Sequence, residues 1–549
     1  MRSGGALLVA SLEAQGVTTA FGVPGESYLA VLDALHDSPI DFVGCRQEGG
    51  AAYMASAWGK LTRTPGIAFV TRGPGATNAS VGLHTAMQDS SPMIIFIGQA
   101  STDDLGREAF QEVDYRAFFG PLVKWATQVE SADRIPETVS RAFSTALSGR
   151  PGPVVVALPE NVLVSQTEVP PGRAVRIARS APSHDELDSL IAHLDRADRP
   201  VVLVAGSDWD SAGRAGLQRF VEANQLPVVT VFRFNDLLDN HSPSYAGEAG
   251  VAMRPHVADA LRNADVVLAL GARFGEMTTA AYTLFEIPDP HQELIHVHPS
   301  TSELGKVLQA ELPIQAHASR FAEALASKTL APSAARDQWC AQLSDQQRGS
   351  LVAPPQPGPL DMSQVMVWLQ ENLPNDAIVT NGAGNFAVWP NKHFAFGADA
   401  RLVAPQSGSM GYGLPAAIAA RIAYRDRTVV CFAGDGDFQM TMQELGSAAQ
   451  VGAQPIVLIL NNAMYGTIRM HQERAFPDRI SGTAIANPDF VQIAKAYGFH
   501  AERVTTTDAF ASAFARAQSS ETGAVLELMV PAEMLTPTMT VDQARRTNE

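Results

Sequence analysis

Short runs of apolar residues alternate along the chain with longer segments in which apolar residues recur at helical spacing. Apolar runs without polar alternation are typical of strands buried on both faces, as in parallel sheets covered by helices. Most of these runs are followed closely by Gly, Ser, Asn or Asp and then by a helical segment. The pattern predicts an α/β chain of mainly parallel sheets. Seven runs are predicted strands: 67–70, 93–97, 154–157, 201–205, 266–270, 429–433 and 456–460.

Two proline-rich segments divide the chain. Residues 170–182 are rich in Pro, Arg and Ala, and residues 354–359 contain four prolines in the order Pro-Pro-Gln-Pro-Gly-Pro. Proline interrupts helices and strands and favours an extended chain. We therefore predict three domains, 1–170, 184–340 and 356–549, each of ordinary domain size. The first and third resemble each other, because both place a glycine-rich turn directly after a buried strand.

Composition and charge narrow the classes of function. The 549 residues are 46% hydrophobic, which is enough for ordinary cores and excludes a mainly disordered chain. The net charge of −17 repels phosphate backbones and anionic lipid, so we expect neither nucleic-acid nor membrane-surface binding. Three cysteines without metal-ligand spacing are too few for a disulfide framework and indicate a reducing compartment.

The apolar run nearest the N-terminus, residues 6–10, predicts a first helix rather than a signal peptide, because it is short and Glu13 follows it closely. No apolar run in the sequence approaches the roughly 18 residues that a membrane span requires. We therefore expect a cytoplasmic protein.

The third domain carries the strongest chemical signal. The strand at 429–433 ends in Gly434-Asp435-Gly436, and the strand at 456–460 ends in Asn461-Asn462. In a parallel sheet both ends lie at the edge where ligands bind. Glycines let the backbone approach a ligand, a helix start favours phosphate, and Asp435 and Asn462 offer oxygen ligands for Mg²⁺. Either motif alone would fit a helix cap or a turn. Together they favour a magnesium-diphosphate site.

These two motifs resemble the signature of thiamine-diphosphate enzymes. Residues 406–417, Gln-Ser-Gly-Ser-Met-Gly-Tyr-Gly-Leu-Pro-Ala-Ala, are similar to the segment upstream of that signature in the acetolactate synthase branch. The resemblance covers nearly the whole chain and is weakest in the middle domain. Four first-domain motifs occur in the family's order: Phe-Gly-Val-Pro-Gly at 21–25, Arg-Gln-Glu-Gly-Gly-Ala at 46–51, Gly-Pro-Gly-Ala-Thr-Asn at 73–78 and Phe-Gln-Glu-Val-Asp at 110–114.

The resemblance implies a fold and a quaternary structure. Members of this family have an N-terminal pyrimidine-binding domain, a Rossmann-like middle domain and a C-terminal diphosphate-binding domain. Their active site lies between the first domain of one subunit and the third domain of another. We therefore expect a homodimer or a homotetramer that binds thiamine diphosphate and Mg²⁺.

The resemblance also implies roles for individual residues. Glu48 matches the catalytic glutamate, which shares a proton with the cofactor's aminopyrimidine ring and so helps the thiazolium carbon lose its proton. Asp435, Asn462 and the backbone oxygen of Met464 match the metal ligands. The cofactor-binding positions implied by the matched motifs are Gly25, Asn78, Gly384, Asn385, Gly408, Met410, Asp435, Gly436, Asp437, Asn462, Met464 and Thr467.

The expected substrate residues depart from the acetolactate synthase pattern. His471 stands where those enzymes carry a tryptophan that selects the acceptor, and it is either a polar pocket residue or a surface histidine. Arg72 replaces a small hydroxyl residue, and it either binds a substrate carboxylate or forms a structural ion pair. Phe110 and Gln111 match pocket residues supplied by the neighbouring subunit.

The middle domain matches the flavin-binding pattern poorly. Residues 271–274 resemble a segment that contacts FAD in acetolactate synthases, but Gly275-Glu276 departs from the usual acidic pair. Residues 296–299 place histidines where an acidic strand end is expected, and residues 206–208 lack the usual run of glycines. We expect an empty nucleotide fold here, with FAD as the alternative.

The function that this resemblance favours is decarboxylation of a 2-keto acid with transfer of the acyl-anion equivalent to an acceptor carbonyl. A 2-keto acid decarboxylase or C–C lyase acting on a different substrate is the alternative. A flavin-dependent oxidase is a third candidate, weakened by the poor flavin signals. A non-catalytic paralogue that only binds cofactor is the remaining class, and the presence of Glu48 argues against it.

Overall fold

A computed structural model describes residues 1–546 of the chain. The first domain holds the strands β1 (Arg2–Ser3), β2 (Thr19–Gly22), β3 (Asp41–Gly44), β4 (Gly66–Val70), β5 (Met93–Gln99), β6 (Trp125–Gln128), β7 (Pro153–Pro159) and β8 (Gln166–Thr167). Its helices are α1 (Gly4–Ala14), α2 (Leu29–His36), α3 (Glu48–Thr62), α4 (Pro74–Asn78), α5 (Ser80–Asp89), α6 (Tyr115–Phe119), α7 (Ile135–Leu147) and α8 (Glu160–Val164).

The middle domain holds the strands β9 (Val201–Val204), β10 (Val228–Val231), β11 (Tyr245–Ala249), β12 (Val266–Leu270), β13 (Glu293–Val297) and β14 (Leu312–Ile314). Its helices are α9 (His184–Arg196), α10 (Ser211–Ala223), α11 (Pro255–Asn263), α12 (Ala318–Leu325) and α13 (Ala334–Gly349). Residues 168–183 before it and 350–361 after it contain no helix or strand.

The third domain holds the strands β15 (Ile378–Asn381), β16 (Arg401–Val403), β17 (Val429–Gly434), β18 (Ile456–Asn461), β19 (His500–Val504), β20 (Ala524–Met529), β21 (Met534–Thr536) and β22 (Met539–Thr540). Its helices are α14 (Met362–Asn372), α15 (Val388–Lys392), α16 (Gly413–Ala423), α17 (Asp435–Phe438), α18 (Leu445–Val451), α19 (Gly466–Ala475), α20 (Phe490–Ala496), α21 (Thr507–Gln518) and α22 (Val541–Arg546). Short 3₁₀ helices lie at Glu26–Tyr28, Gly120–Leu122, Ala132–Arg134, Asn235–Leu237, Asn385–Ala387 and Met442–Glu444.

Each domain is built on one six-stranded parallel sheet. The order is β3-β2-β4-β5-β7-β6 in the first domain and β16-β15-β17-β18-β20-β19 in the third, which is the same topology. The middle sheet has the order β11-β10-β9-β12-β13-β14. That order is the doubly wound Rossmann arrangement, in which the direction of winding reverses between the first and fourth strands. The predicted α/β class and the Rossmann-like middle domain are confirmed.

The seven predicted strands are all present as central or near-central strands of these sheets. They are buried along nearly their whole length, because helices cover both faces of every sheet. The sequence pattern identified them for the same reason, since a strand covered on both faces has no solvent-facing polar residues.

The first and third domains share one hydrophobic core within the chain. Helix α3 packs along helix α16, and the contact is rich in alanine, including Ala51 and Ala55 on one side and Ala416 and Ala420 on the other. Small side chains let the two helices approach closely. The carboxyl edges of the first and third sheets are thereby held in a fixed relation.

Across residues 1–546, none of the helices is long and apolar enough to cross a membrane. All three cysteines, Cys45, Cys340 and Cys431, are buried and unpaired. The predicted first helix is present as α1, whose Ser3 accepts a hydrogen bond from Ala6 N and so caps the helix N-terminus.

Candidate active site

A cavity of about 260 Å³ opens at the carboxyl edge of the third sheet. Ligands of open parallel sheets bind at this edge, where strands end in loops. All ten cofactor residues predicted in the third domain line the cavity: Gly384, Asn385, Gly408, Met410, Asp435, Gly436, Asp437, Asn462, Met464 and Thr467. Residues that are more than 80 positions apart in the sequence therefore line the same cavity.

Strand ends explain this convergence. Asp435 directly follows β17, and Asn462 directly follows β18, its neighbour in the sheet. Gly408 comes from the loop after β16 and has φ +67°, a conformation that favours glycine. A Cβ built on Gly408 would have no atom within 4 Å, so this position faces open space.

Asp435 is a buried carboxylate held by amide donors. Its side chain accepts hydrogen bonds from Asn487 Nδ2 at 2.7 Å and from Gly436 N at 2.9 Å. Burial raises the pKa of Asp435, and these hydrogen bonds oppose the increase. Among residues 1–546, no Lys, Arg or His side chain forms an ion pair with Asp435. A buried carboxylate without a cationic partner beside amide oxygens fits a divalent cation.

Asn462 lines the same cavity as Asp435. Its Oδ1 accepts a hydrogen bond from Met464 N at 3.3 Å, which folds the turn after β18 and leaves the amide beside the cavity. Asp435, Asn462 and the carbonyl of Met464 would hold Mg²⁺, which commonly takes one or two carboxylates together with substrate phosphates. Within the part of the chain that the structure describes, no cluster of three His, Cys, Asp or Glu side chains offers another metal site.

Asp437 fixes two loops at the floor of the cavity. Its Oδ1 accepts hydrogen bonds from Ala383 N at 3.0 Å and Gly411 N at 2.9 Å. Burial raises the pKa of Asp437 to about 7, and the two backbone hydrogen bonds and the Arg233 charge limit that increase. Nearby, Thr467 donates a hydrogen bond to Asn385 Oδ1 at 2.9 Å.

Two contributions to this site could not be predicted from the sequence. Asn487 does not line the cavity, but it bridges Asp435 and Asn461 from an irregular loop that carries no strand-end pattern. The C-terminal segment, residues 531–546, lines the cavity with Pro531, Met534, Leu535 and Thr536. Neither contribution has a local sequence signal, since both depend on how distant segments return to the site.

The first-domain residues form a separate cluster. Asn78 Nδ2 donates a hydrogen bond to Glu48 Oε2 at 2.9 Å, and a Cβ built on Gly75 would lie 3.0 Å from Glu48 Oε1. Glu48 begins helix α3, where Gln47 caps the helix by accepting from Gly49 N and Gly50 N. Gly25 packs against Thr71 at the same edge of the sheet. Glu48, Gly25 and Asn78 do not line the third-domain cavity of their own chain.

Three of the predicted substrate residues lie together in the first domain. Arg72 forms ion pairs with Glu26, at 2.9 Å, and with Glu160, and its side chain is nearly buried. The exposed ring of Phe110 lies over the Arg72 guanidinium, 5.7 Å from its carbon to the ring centroid. Gln111 adopts φ +60° beside Gly73. The arginine therefore has carboxylate partners within its own domain.

His471 lies on helix α19, one turn beyond Thr467 and Ile468, which line the cavity. Its side chain is exposed, and it does not itself line the cavity. Its role in the substrate pocket therefore stays a prediction.

A second cavity, of about 220 Å³, lies at the carboxyl edge of the middle sheet and against the first domain. Its two arginines are already bonded: Arg150 to Glu303 at 3.0 Å, and Arg273 to Gln406 Oε1 at 2.7 Å. Burial lowers the pKa of His298 to about 4, so this imidazole is neutral at pH 7. The absence of FAD from this cavity stays a prediction.

Comparisons with known proteins agree with this geometry. Three domain families match, described as the thiamine pyrophosphate enzyme N-terminal TPP binding domain at residues 2–118, the central domain at 187–325 and the C-terminal TPP binding domain at 382–528. The acetolactate synthase isozyme 2 large subunit of Escherichia coli is 32% identical over 512 residues, covering 92% of this chain and 91% of that protein.

Two further relatives extend the comparison to other organisms. The acetolactate synthase large subunit of Parasynechococcus marenigrum is 31% identical, covering 96% of this chain and 87% of that protein. The probable acetolactate synthase large subunit of Methanocaldococcus jannaschii is 29% identical, covering 97% of this chain and 93% of that protein. The chain therefore belongs to the thiamine pyrophosphate enzyme family, in which it is similar to the acetolactate synthase large subunits.

Proposed function

We propose that the protein is a thiamine-diphosphate- and Mg²⁺-dependent carboligase, which decarboxylates a 2-keto acid and transfers the acyl-anion equivalent to an acceptor carbonyl. The observation that carries this proposal is the single cavity bordered by all ten of the third-domain candidates. When bound, thiamine diphosphate would supply a carbon nucleophile for the keto group and would stabilise the electron pair left behind when CO₂ departs.

The residues of the third domain would bind and orient the cofactor. Asp435, Asn462 and the Met464 carbonyl would hold Mg²⁺ and, through it, the diphosphate. The backbone carbonyl of Gly408 would accept a hydrogen bond from the cofactor's amino group, and Met410 would pack against the cofactor. Pro531 and Leu535 would exclude water, since both border the cavity.

Glu48 would move a proton at the cofactor's aminopyrimidine ring. Asn78 donates a hydrogen bond to Glu48 Oε2, which orients the carboxyl group and leaves Oε1 beside Gly75. Glu48 lies outside its own chain's cavity, so the proposed active site needs Glu48 from a second copy. A homodimer is then the smallest active unit, and a homotetramer would contain two such pairs.

A decarboxylase or C–C lyase without a charged acceptor is the second candidate, and Arg72 favours it. An acceptor 2-keto acid carries a carboxylate, which a guanidinium recognises well. Arg72 is already paired with both Glu26 and Glu160, so this cluster carries one more negative than positive charge. A proton as the acceptor would meet less repulsion here than a second keto acid.

A substrate screen tests these proposals. The holoenzyme would be incubated with linear, branched and aromatic 2-keto acids, with and without an aldehyde, and CO₂ and coupled products would be measured. Coupled product in excess of free aldehyde supports the carboligase, and free aldehyde alone supports the decarboxylase. Asp435→Ala is the control for cofactor-independent decarboxylation. If no 2-keto acid releases CO₂ above this control, both proposals are wrong.

A further inference from the structure

The cofactor-contacting loop of the third domain is held from the first domain of the same chain. Residues 405–411 connect β16 to α16 and bring Gly408 and Met410 to the cavity. No helix or strand includes them. Their backbone N–H and C=O groups therefore need hydrogen-bond partners other than those of a helix or a sheet, and these partners determine the position of the loop.

Lys60 and Asp89 hold the backbone on both sides of Pro405. Lys60 Nζ donates a hydrogen bond to the carbonyl of Ala404 at 2.7 Å, and Asp89 Oδ1 accepts one from Gln406 N at 2.6 Å. Between them, Lys60 Nζ lies 3.6 Å from Asp89 Oδ2. Proline has no N–H of its own to donate, so these two contacts fix the peptide groups that enter the loop.

The pair is buried, with 5% of the Lys60 side chain and none of the Asp89 side chain exposed. Burial lowers the pKa of Lys60 and raises that of Asp89, and each charge opposes the change in the other. A buried ion pair generally adds little net stability, because desolvation offsets the attraction. Its contacts with an irregular loop give it a different use, because Lys60 and Asp89 hold the backbone on both sides of Pro405. Arg273 and the Phe232 carbonyl hold only the side chain of Gln406.

Other contacts extend this support along the loop. Thr85, one turn before Asp89 on α5, lies 2.7 Å from Ser409 Oγ, and the Tyr53 hydroxyl donates to the Met410 carbonyl at 3.3 Å. The far end is fixed by Gly411 N, which donates to Asp437. Lys60 and Asp89 therefore fix the near end of a loop whose far end is already anchored.

We propose that Lys60 and Asp89 are positioning residues, which set the place of Gly408 and Met410 against the cofactor by holding Ala404 and Gln406. This inference rests on the proposed thiamine-diphosphate function. Helix α3 would then serve two sites: its first residue, Glu48, would act in a partner's cavity, and Lys60 would order the cofactor loop of its own chain.

Two double variants separate positioning from the ion pair itself. Lys60→Met/Asp89→Asn removes both charges and keeps an oxygen that can accept from Gln406 N. Lys60→Met/Asp89→Leu removes the charges and the acceptor. The exposed pair Arg134–Glu137 gives a matched control, Arg134→Met/Glu137→Gln. If the Leu variant does not fold, Lys60→Met/Asp89→Ser replaces it, because the serine hydroxyl is too short to reach Gln406 N.

Three measurements are made on each variant: amide hydrogen exchange of residues 406–411 without cofactor, deuterium exchange of the thiazolium proton at saturating cofactor, and thermal unfolding. For the Leu variant we expect loop amides to exchange about 10–100-fold faster, the usual worth of a hydrogen bond to a charged group. The thiazolium proton should exchange at least tenfold more slowly. The Asn variant, which loses the Lys60 contact with Ala404 but keeps an acceptor for Gln406 N, should show a smaller loss in both measurements, and the surface control should stay within about threefold of wild type.

Thiazolium exchange at the wild-type rate in the Leu variant would overturn the positioning role, whatever happens to its unfolding temperature. Equal losses in the Asn and Leu variants would also overturn it, because the Gln406 acceptor would then not matter. Failure of the wild-type protein to bind thiamine diphosphate would overturn the proposed function instead. The amide exchange of the cofactor-free protein would still report whether Asp89 holds the loop.

Discussion

Asn487 donates a hydrogen bond to Oδ2 of Asp435 at 2.7 Å, and the same amide nitrogen lies 2.9 Å from Oδ1 of Asn461. One side chain thus orients the proposed metal ligand and the strand end beside it. Groups that orient metal ligands typically change metal affinity by 10–100-fold when they are removed. We predict that Asn487→Ala weakens Mg²⁺-dependent cofactor binding by about this factor, measured by calorimetry at several Mg²⁺ concentrations.

The loss in Asn487→Ala should be recovered in part by high Mg²⁺, because the ligands themselves remain. Asn372→Ala, on the surface of α14, is the control and should bind cofactor as wild type does. Unchanged Mg²⁺ dependence in Asn487→Ala would mean that Asp435 needs no orienting partner.

Glu48 and Asp435 should separate cofactor activation from cofactor binding. Asp435→Ala removes the charged metal ligand, so we predict that thiamine diphosphate binding is lost and that excess Mg²⁺ recovers little. Glu48→Gln keeps the size and a hydrogen bond to Asn78 but cannot hold and release the proton. Cofactor should still bind, and turnover should fall by roughly 10²–10⁴, the usual worth of a positioned acid–base group.

Calorimetric binding and deuterium exchange of the thiazolium proton would be measured for both variants. Glu137→Gln, exposed on α7, is the control for Glu48→Gln. Exchange at the wild-type rate in Glu48→Gln would show that another residue activates the cofactor.

The middle-domain cavity should hold no flavin. Both arginines that line it are already bonded within the chain, Arg150 to Glu303 and Arg273 to Gln406, and residues 275–276 and 296–299 depart from the flavin-binding pattern. We predict that the purified protein is colourless and contains FAD well below one per subunit, measured by absorbance after denaturation. Adding FAD should not raise the unfolding temperature. Stoichiometric flavin in the purified protein would contradict this prediction.

His471 should influence substrate choice more than cofactor affinity. It lies one turn along α19 from Thr467, which lines the cavity, and its own side chain is exposed. We predict that His471→Trp changes the relative kcat/KM among 2-keto acids by about tenfold and leaves cofactor affinity within about twofold. A uniform change across all substrates, or none, would show that His471 is only a surface residue.

The sequence predicted the fold and the strand-end part of the site, because buried parallel strands and the loops after them have local signatures. Asp435 and Asn462 could be placed together for that reason. Asn487 and the Lys60–Asp89 pair could not, since Asp89 meets Gln406 across 317 positions with no periodic pattern to link them. Arg72 was left between two roles, because its carboxylate partners are 46 and 88 positions away.

The C-terminal segment, residues 531–546, is anchored beside the cavity by hydrogen bonds to a buried carboxylate. Glu473 on α19 accepts hydrogen bonds from Arg545 on α22, at 2.8 and 3.1 Å, and from Arg469 at 2.7 Å. These bonds, chiefly from Arg545, lower the pKa of Glu473 to about 2. Near them Leu535, which borders the cavity, packs with Met470 and Ala544.

We predict that Arg545→Met loosens this segment, because Glu473 then loses its main partner. Proteolysis of the C-terminal segment should become about tenfold faster. Cofactor affinity should fall about 3–30-fold, because the variant loses the charged hydrogen bonds from Arg545 to Glu473 while Arg469 still donates to Glu473. Because the pKa of Glu473 is lowered from 4.5 to about 2, its ionised form stabilises the folded segment fully above about pH 4.5. This stabilisation is lost as the pH falls toward 2. Segment release in the wild type should therefore increase across that interval, and in Arg545→Met it should increase less. Equal pH dependence in the two proteins would show that Glu473 does not fasten the segment.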